Sequence, residues 1–318
     1  MDMRLLNPHP VQPMNYQPDS IQGFHIELTN ICTLKCAGCA RTRFIQQWPS
    51  NWKNHSIDFD QLFNFLNIDL TGKVISLCGN YGDPIYHPKI LKIVAGFKQH
   101  GACLTISTNG SYKTADWWTE LCTLLDINDK IIFSIDGVPE NFTQYRVNAD
   151  WNSIKIGLEI CAASAVQTIW KYIPFSFNEH NIDQARSMSQ AMNIDKFVVR
   201  PSDRFDPATE YLKPKTVEFI GSRFDTQTQF KTENRNNTIN AECIDNKSHY
   251  ISADGFYMPC CYVGDHRFYY KTQFGKNKNS YNIKDQTLLQ LLEKPTTIEF
   301  YNNLEAHSVC QYNCPNTL

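Results

Sequence analysis

The sequence predicts an α/β fold: a partial (β/α)6 TIM-like barrel followed by a small, cysteine-rich C-terminal domain. Three observations lead there. Short β-type apolar runs alternate with helical patterns at roughly 30-residue spacing, the period of parallel βα units joined by right-handed crossovers. The repetition ends near Arg200 after about six units, where a closed barrel would have about eight. Beyond it the apolar pattern thins while cysteines recur.

Taken in order, residues 1–20 carry Pro8, Pro10, Pro13 and Pro18 and read as an irregular N-terminal arm. Strands are predicted at Phe24–Leu28, Val74–Cys78, Cys103–Ser107, Ile131–Ile135, Thr168–Phe175 and Phe197–Val199. Between them, Phe59, Leu62, Phe63 and Leu66 follow a helical period, as do Ile90, Leu91, Val94 and Phe97, and Ile154, Gly157, Leu158 and Cys161. Asp58 can cap the first of these, and Asn181 or Asp183 can start a helix carrying Ala185, Met188 and Met192. The alternative is an open doubly wound sheet. In either fold the chemistry belongs at the carboxyl ends of the strands. After Arg200, prolines and a polar stretch at 230–240 lead to a strand pair around Ile251–Met258 and a helix at Thr287–Leu292. Such a tail suggests a region stapled by metal.

Composition narrows the function. The 318 residues are 42% hydrophobic and 19% charged, enough to build a core and too apolar for general disorder. Thirty Lys+Arg against 32 Asp+Glu give a net charge of −2, so the basic excess of a phosphate-neutralising protein is missing and nucleic acid is disfavoured as a partner. No signal-peptide core and no apolar run of about 18 residues occurs, which predicts a cytoplasmic protein with no membrane span. The twelve cysteines then read as metal or redox chemistry before disulfides.

The strongest motif is Cys32-Thr-Leu-Lys-Cys36-Ala-Gly-Cys39, a C-x3-C-x2-C run directly after the first predicted strand. Three thiolates on one loop suit three irons of a cubane and leave the fourth iron open. Zinc is the alternative, but it wants four ligands and usually two C-x2-C knuckles. Later segments follow at strand ends: Gly79-Asn-Tyr81-Gly82-Asp83-Pro84, Ser107-Thr-Asn109-Gly110 and Ser134-Ile-Asp136-Gly137. Singly each is an ordinary turn or loop. In order, each after a predicted strand, they form a set.

With these residues, 22–200 resembles the core of the radical S-adenosylmethionine (SAM) superfamily. The resemblance implies that Cys32, Cys36 and Cys39 hold a SAM-binding [4Fe–4S] cluster. It implies that Tyr81, Gly82 and Asp83 form the segment binding the methionine amino group, and that Ser107, Asn109, Ser134 and Asp136 hold the methionine and ribose parts. Two departures stand out. Asp83 replaces the family's usual Glu, and Gly38 stands where an aromatic residue often packs near adenine. The adenine contact then falls elsewhere, with Tyr81 and Phe44 as candidates.

At the other end, Cys243-x11-Gly255-x4-Cys260, Cys261 and Cys310-x3-Cys314 resemble the SPASM and twitch extensions, which carry auxiliary [4Fe–4S] clusters. The resemblance implies an iron–sulfur domain over 216–318 beside a core at 21–215, with Cys243, Cys260, Cys310 and Cys314 as ligands of one cluster. A structural zinc site on the same sulfurs is the alternative. Cys261 can replace Cys310, donate a hydrogen atom to a substrate radical, or simply pack. Cys78, Cys103, Cys122 and Cys161 fall in element patterns and read as core, with Cys78 beside the SAM segment.

The family's reaction, so implied, is reductive cleavage of SAM to a 5′-deoxyadenosyl radical that abstracts hydrogen from substrate. It needs a flavodoxin- or ferredoxin-type reductase as electron donor. The expected substrate is a peptide or protein undergoing epimerisation, crosslinking or oxidation; the alternative is a small molecule undergoing dehydrogenation. A non-enzymatic protein with two zinc sites is the competing class. Arg200, ending the sixth strand, suits a carboxylate. His180 either faces the barrel mouth or starts the next helix.

Overall fold

A computed structural model describes residues 20–202, 205–221, 241, 243 and 248–314. The predicted N-terminal arm, except Ser20, and the 230–240 stretch lie outside the described residues. Six parallel strands appear where the sequence places them: β1 (Gly23–Ile26), β2 (Val74–Leu77), β3 (Cys103–Thr108), β4 (Lys130–Ser134), β5 (Gln167–Tyr172) and β6 (Lys196–Val199). Their order in the sheet is sequential from β1 to β6. A doubly wound sheet would reverse direction at a switch point, so the sequential order decides for the partial barrel.

The crossovers carry α2 (Phe59–Phe65), α3 (Ile90–Gln99), α4 (Ala115–Leu124), α5 (Trp151–Ala162) and α6 (Ile182–Ala191), with α1 (Ala40–Gln47) following the first cysteine loop. Asp58 caps α2, accepting from the backbone N–H groups of Asp60 and Gln61. Asn181 is the N-cap position of α6 but makes no side-chain cap bond. The periodicity does not single out α1 or α4; the Thr114 hydroxyl, accepting from Trp117 N at 3.3 Å, is the readable start signal of α4. Helix α5 carries Gly157 on its buried face because any Cβ there would lie 2.6 Å from Trp118 of α4.

Alternation along the strands builds the site. Ile106, Phe133 and Trp170 are fully buried, while their neighbours Ser107, Ser134 and Lys171 line a cavity on the opposite face. Polar residues thus enter the barrel mouth without interrupting the hydrophobic seam under the helices.

The C-terminal region is tied into this sheet. The segment β7 (Ser248–Ile251) pairs in parallel with β1, Gly23 opposite Ser248 and Ile26 opposite Ile251. The short β8 (Tyr257–Met258) then returns antiparallel to β7. Gly255, with φ of +79°, makes the connecting turn, a backbone conformation that favours glycine. Tyr250, Tyr257, Leu288, Leu291 and Phe300 share one continuous core with Phe24 and Phe65 of the barrel. Thr287 caps the helix Leu288–Leu292 through a reciprocal capping box with Gln290, close to the predicted helix.

His249 of β7 is fully buried, with Nδ1 2.9 Å from the Tyr257 hydroxyl and 3.2 Å from that of Tyr301. Burial pushes its pKa down from 6.5 to about 3. The folded chain therefore resists protonating it, whereas the unfolded chain takes up a proton as pH falls below about 6.5. Stability is thus lost on acidification, by about 2 kcal/mol between pH 7 and pH 5 from this residue alone. Urea unfolding at the two pH values should show this loss in the wild type and shrink it in His249→Phe. Equal pH dependence in both would refute the assignment.

Candidate functional site

The cavity at the strand ends has a volume of about 740 Å3. It is lined by Cys32, Cys36 and Cys39 together with Tyr81, Gly82, Asp83, Ser107, Asn109, Ser134, Asp136 and Arg200. The sequence-predicted residues of the N-terminal motif and of all three strand-end segments therefore meet in one place. Among the described residues, no three ligating side chains close on a point that would hold a single metal ion.

Hydrogen bonds join the motifs directly. Asn109 donates its side-chain amide to Asp83 and lies 3.7 Å from the Cys32 sulfur. Asp83 Oδ2 also accepts from the Asn109 backbone N–H at 2.7 Å and the Thr108 hydroxyl at 3.1 Å. Its Oδ1 accepts from Ile85 N at 3.3 Å, capping a short helical turn at Pro84–Tyr86. Burial raises the Asp83 pKa, and the bonds from Asn109, Thr108 and Ile85 oppose the rise. The Asp83 backbone N–H donates to Ile31 O at 3.0 Å, so the segment rests on the cysteine loop. Gly82 permits the contact, since a Cβ there would stand 1.8 Å from Thr29 O.

Two residues that sequence reasoning missed hold this arrangement. Glu27, just after β1 and only 2% exposed, accepts from the backbone N–H groups of Tyr81 and Gly82 at 2.6 and 2.9 Å. Its other oxygen accepts from the Tyr250 hydroxyl of β7 at 2.8 Å. Burial raises its pKa against these bonds. Arg146, before α5, donates from Nε to Asp136 at 2.7 Å and also bonds the Cys36 thiol. Neither residue has a local signal, because their partners lie far along the chain or in loops.

Asp136 is completely buried and accepts from Ile173 N at 2.8 Å as well as from Arg146. Asn178, also fully buried, braces its loop by donating to Asp136 O at 3.0 Å and Ile173 O at 3.1 Å. His180 is exposed in a helical turn at Glu179–Asn181, ahead of α6, and is not among the residues lining the cavity. Arg200 is exposed at the rim. Cys78 lines the cavity near Lys171 and Ser107. Tyr81 borders both this cavity and a second one of about 230 Å3, which Phe44 and Trp52 also line.

The thiols are poised by burial and by one another. Burial and Asp83 push Cys32 up to about 12, while burial pushes Cys36 up to about 11 against the nearby Arg146. Bare thiolates are costly there, and positive charge from a bound metal group would favour them.

Electrostatic contacts link the four C-terminal candidates through Cys310. Burial drives the Cys260 thiol well up, with Cys243, Cys261 and Cys310 adding to it. Burial likewise pushes Cys310 up to about 12, followed by Cys243 and Cys314. Cys310 and Cys314 stand one turn apart, Cys314 N donating to Cys310 O at 2.8 Å at the end of the helix Ser308–Asn313. Cys261 hydrogen-bonds His25 with its thiol and accepts from Asn80 Nδ2 at 3.1 Å with its carbonyl. Its neighbour Tyr262 is the residue of this segment that lines the cavity.

Residues 243–315 match the SPASM family model, described as an iron–sulfur cluster-binding domain. The tungsten-containing aldehyde ferredoxin oxidoreductase cofactor-modifying protein of Pyrococcus furiosus is 30% identical over 117 residues. That stretch is 36% of this chain and 31% of the relative, so the match spans about a third of the relative's length. Among solved structures, Streptococcus suis SuiB is similar with a TM-score of 0.60 at 12% identity, covering 89% of this chain and 68% of SuiB. The native anSMEcpe structure with bound AdoMet and Cp18Cys peptide is similar with a TM-score of 0.53 at 13% identity, covering 87% and 81%. At such identities the likeness is one of fold.

Proposed function

We propose that this chain is a radical SAM enzyme with a C-terminal SPASM-type iron–sulfur domain and that it cleaves SAM reductively to modify a peptide or protein; the SPASM match and the fold likeness to SuiB support the reading. The observation that carries the reading is the contact of Asn109 with both Asp83 and Cys32. It places a carboxylate-bearing loop against the cysteine triplet inside one cavity. The donor set fits: thiols are the ligands of iron–sulfur clusters, and the triplet leaves one iron coordination site for another ligand.

When bound, the reduced cluster and SAM would supply a 5′-deoxyadenosyl radical able to take a hydrogen atom from substrate. The protein's part is positioning. Cys32, Cys36 and Cys39 would hold the cluster, and Arg146 would offset negative charge beside Cys36. Asp83 and the Gly79–Gly82 backbone would receive the methionine ammonium, with Asn109 keeping the Asp83 carboxylate in place. Ser107, Ser134 and Asp136 would line the rest of the SAM site. Arg200 at the rim would meet a substrate carboxylate. Cys243, Cys260, Cys310 and Cys314 would hold the auxiliary cluster, which neighbours the cavity through the segment ending at Tyr262. A flavodoxin- or ferredoxin-type protein would deliver the electron.

Peptide substrate is favoured because SuiB has been solved bound to its precursor peptide SuiA and anSMEcpe with the Cp18Cys peptide. Small-molecule dehydrogenation is the second reading, and an exposed Arg200 at the rim suits either. Anaerobic reconstitution should load about eight irons, two [4Fe–4S] clusters. Under strong reductant the protein should convert SAM to 5′-deoxyadenosine. Zinc without iron, or intact clusters with no SAM cleavage, would sink the proposal.

A further inference from the structure

We propose that Cys122 and Cys161 form a dithiol site that reduces small disulfides, closing a reversible bond between α4 and α5 on the outside of the barrel. The two sulfurs stand 3.7 Å apart, roughly 1.7 Å from disulfide bonding distance. Helix periodicity explains why they meet. Trp118 and Cys122 lie four residues apart on one face of α4, and Gly157 and Cys161 lie four apart on one face of α5. Gly157 leaves room for the Trp118 ring, so the two helices approach closely and the next turn brings sulfur to sulfur.

The pair is asymmetric, as an attacking and a resolving thiol need to be. Cys122 is half-buried and Cys161 fully buried. Hydrogen bonding between the two thiols, helped by Ser164, lowers the Cys122 pKa to about 7, while the Cys161 pKa is raised. Cys122 is therefore the sulfur with thiolate character and access to solvent. Neither residue lines the barrel-mouth cavity or belongs to the C-terminal cysteine group.

The chemistry balances with glutathione disulfide as the oxidant. The Cys122 thiolate attacks one sulfur, forming a mixed disulfide and releasing glutathione thiolate, which takes up a proton. Cys161 then attacks the Cys122 sulfur, and the second glutathione leaves with the Cys161 proton. The protein dithiol gives up two electrons, and one glutathione disulfide becomes two glutathiones.

Anaerobic, iron-loaded protein would be treated with glutathione disulfide, alkylated before unfolding, digested and analysed by mass spectrometry. The expected product joins the Cys122 and Cys161 peptides, with iron content unchanged and the bond reversed by dithiothreitol. Cys161→Ser should instead retain a glutathionyl group on Cys122, and Cys122→Ser should show neither product. A stable glutathionyl adduct on Cys122 in the wild type would overturn the proposal. So would recovery of both residues as alkylated thiols after the treatment.

Discussion

Replacing Cys32, Cys36 and Cys39 together by alanine is expected to halve the bound iron, from about eight atoms to about four. It should also reduce 5′-deoxyadenosine formation to background. All three thiols come from one loop that only later passes into α1, so their loss leaves the strands and the shared core untouched. The remaining iron should depend on Cys243, Cys260, Cys310 and Cys314. Adding Cys260→Ala to the triple variant should remove most of it. Iron analysis with anaerobic SAM-cleavage assays checks both points. A triple variant holding no iron would refute two independent cluster sites, and one holding about eight would place the clusters elsewhere.

The second large effect is expected at Glu27. Its removal in Glu27→Ala strands the backbone N–H groups of Tyr81 and Gly82 and the hydroxyl of Tyr250. A buried polar group left without a partner costs about 1–3 kcal/mol. The variant should therefore lose about 3–5 kcal/mol of stability and bind SAM at least tenfold more weakly, or about 1.4 kcal/mol. Glu27→Gln is the informative control. Its amide oxygen can still accept both N–H groups, while its NH2 donates to the Tyr250 oxygen, so the loss should stay within about 1.5 kcal/mol. Urea unfolding and SAM binding measure both variants. An alanine variant as stable as the wild type would show that the carboxylate does not hold the segment.

The contrast between Asp83 and Glu27 shows how far sequence alone reaches. Asp83 is legible because its chemistry is local: a carboxylate between Gly82 and Pro84, just past a strand end and ahead of the next helix pattern. Cys32, Cys36 and Cys39 are legible for the same reason, since their spacing is the signal. Strand starts such as Val74 and Cys103 are also readable from alternation between two turns. Glu27 looks like any polar residue closing a strand, because its partners are 54, 55 and 223 residues away. Arg146 is hidden in the same way. Its meaning comes from the Asp136 carboxylate and the Cys36 thiol, supplied by different βα units. The pairing of β7 with β1 has no local signal either. A four-residue strand in a cysteine-rich tail reads as part of a separate appendage until its register is seen.

That pairing also sets an order of events during synthesis. Parallel contacts between Gly23–Ile26 and Ser248–Ile251 are among the most distant in sequence that the chain makes. At about 5–20 residues per second, the ribosome needs roughly 10–45 s to pass from Glu27 to Tyr250. Throughout that interval one oxygen of Glu27 lacks its tyrosine donor and one edge of β1 stays bare. The nascent barrel can collect its six strands early, yet the clamp beneath Tyr81 and Gly82 closes only once the C-terminal region emerges. Assembly of the mouth is thus timed by a strand made more than 220 residues after its partner.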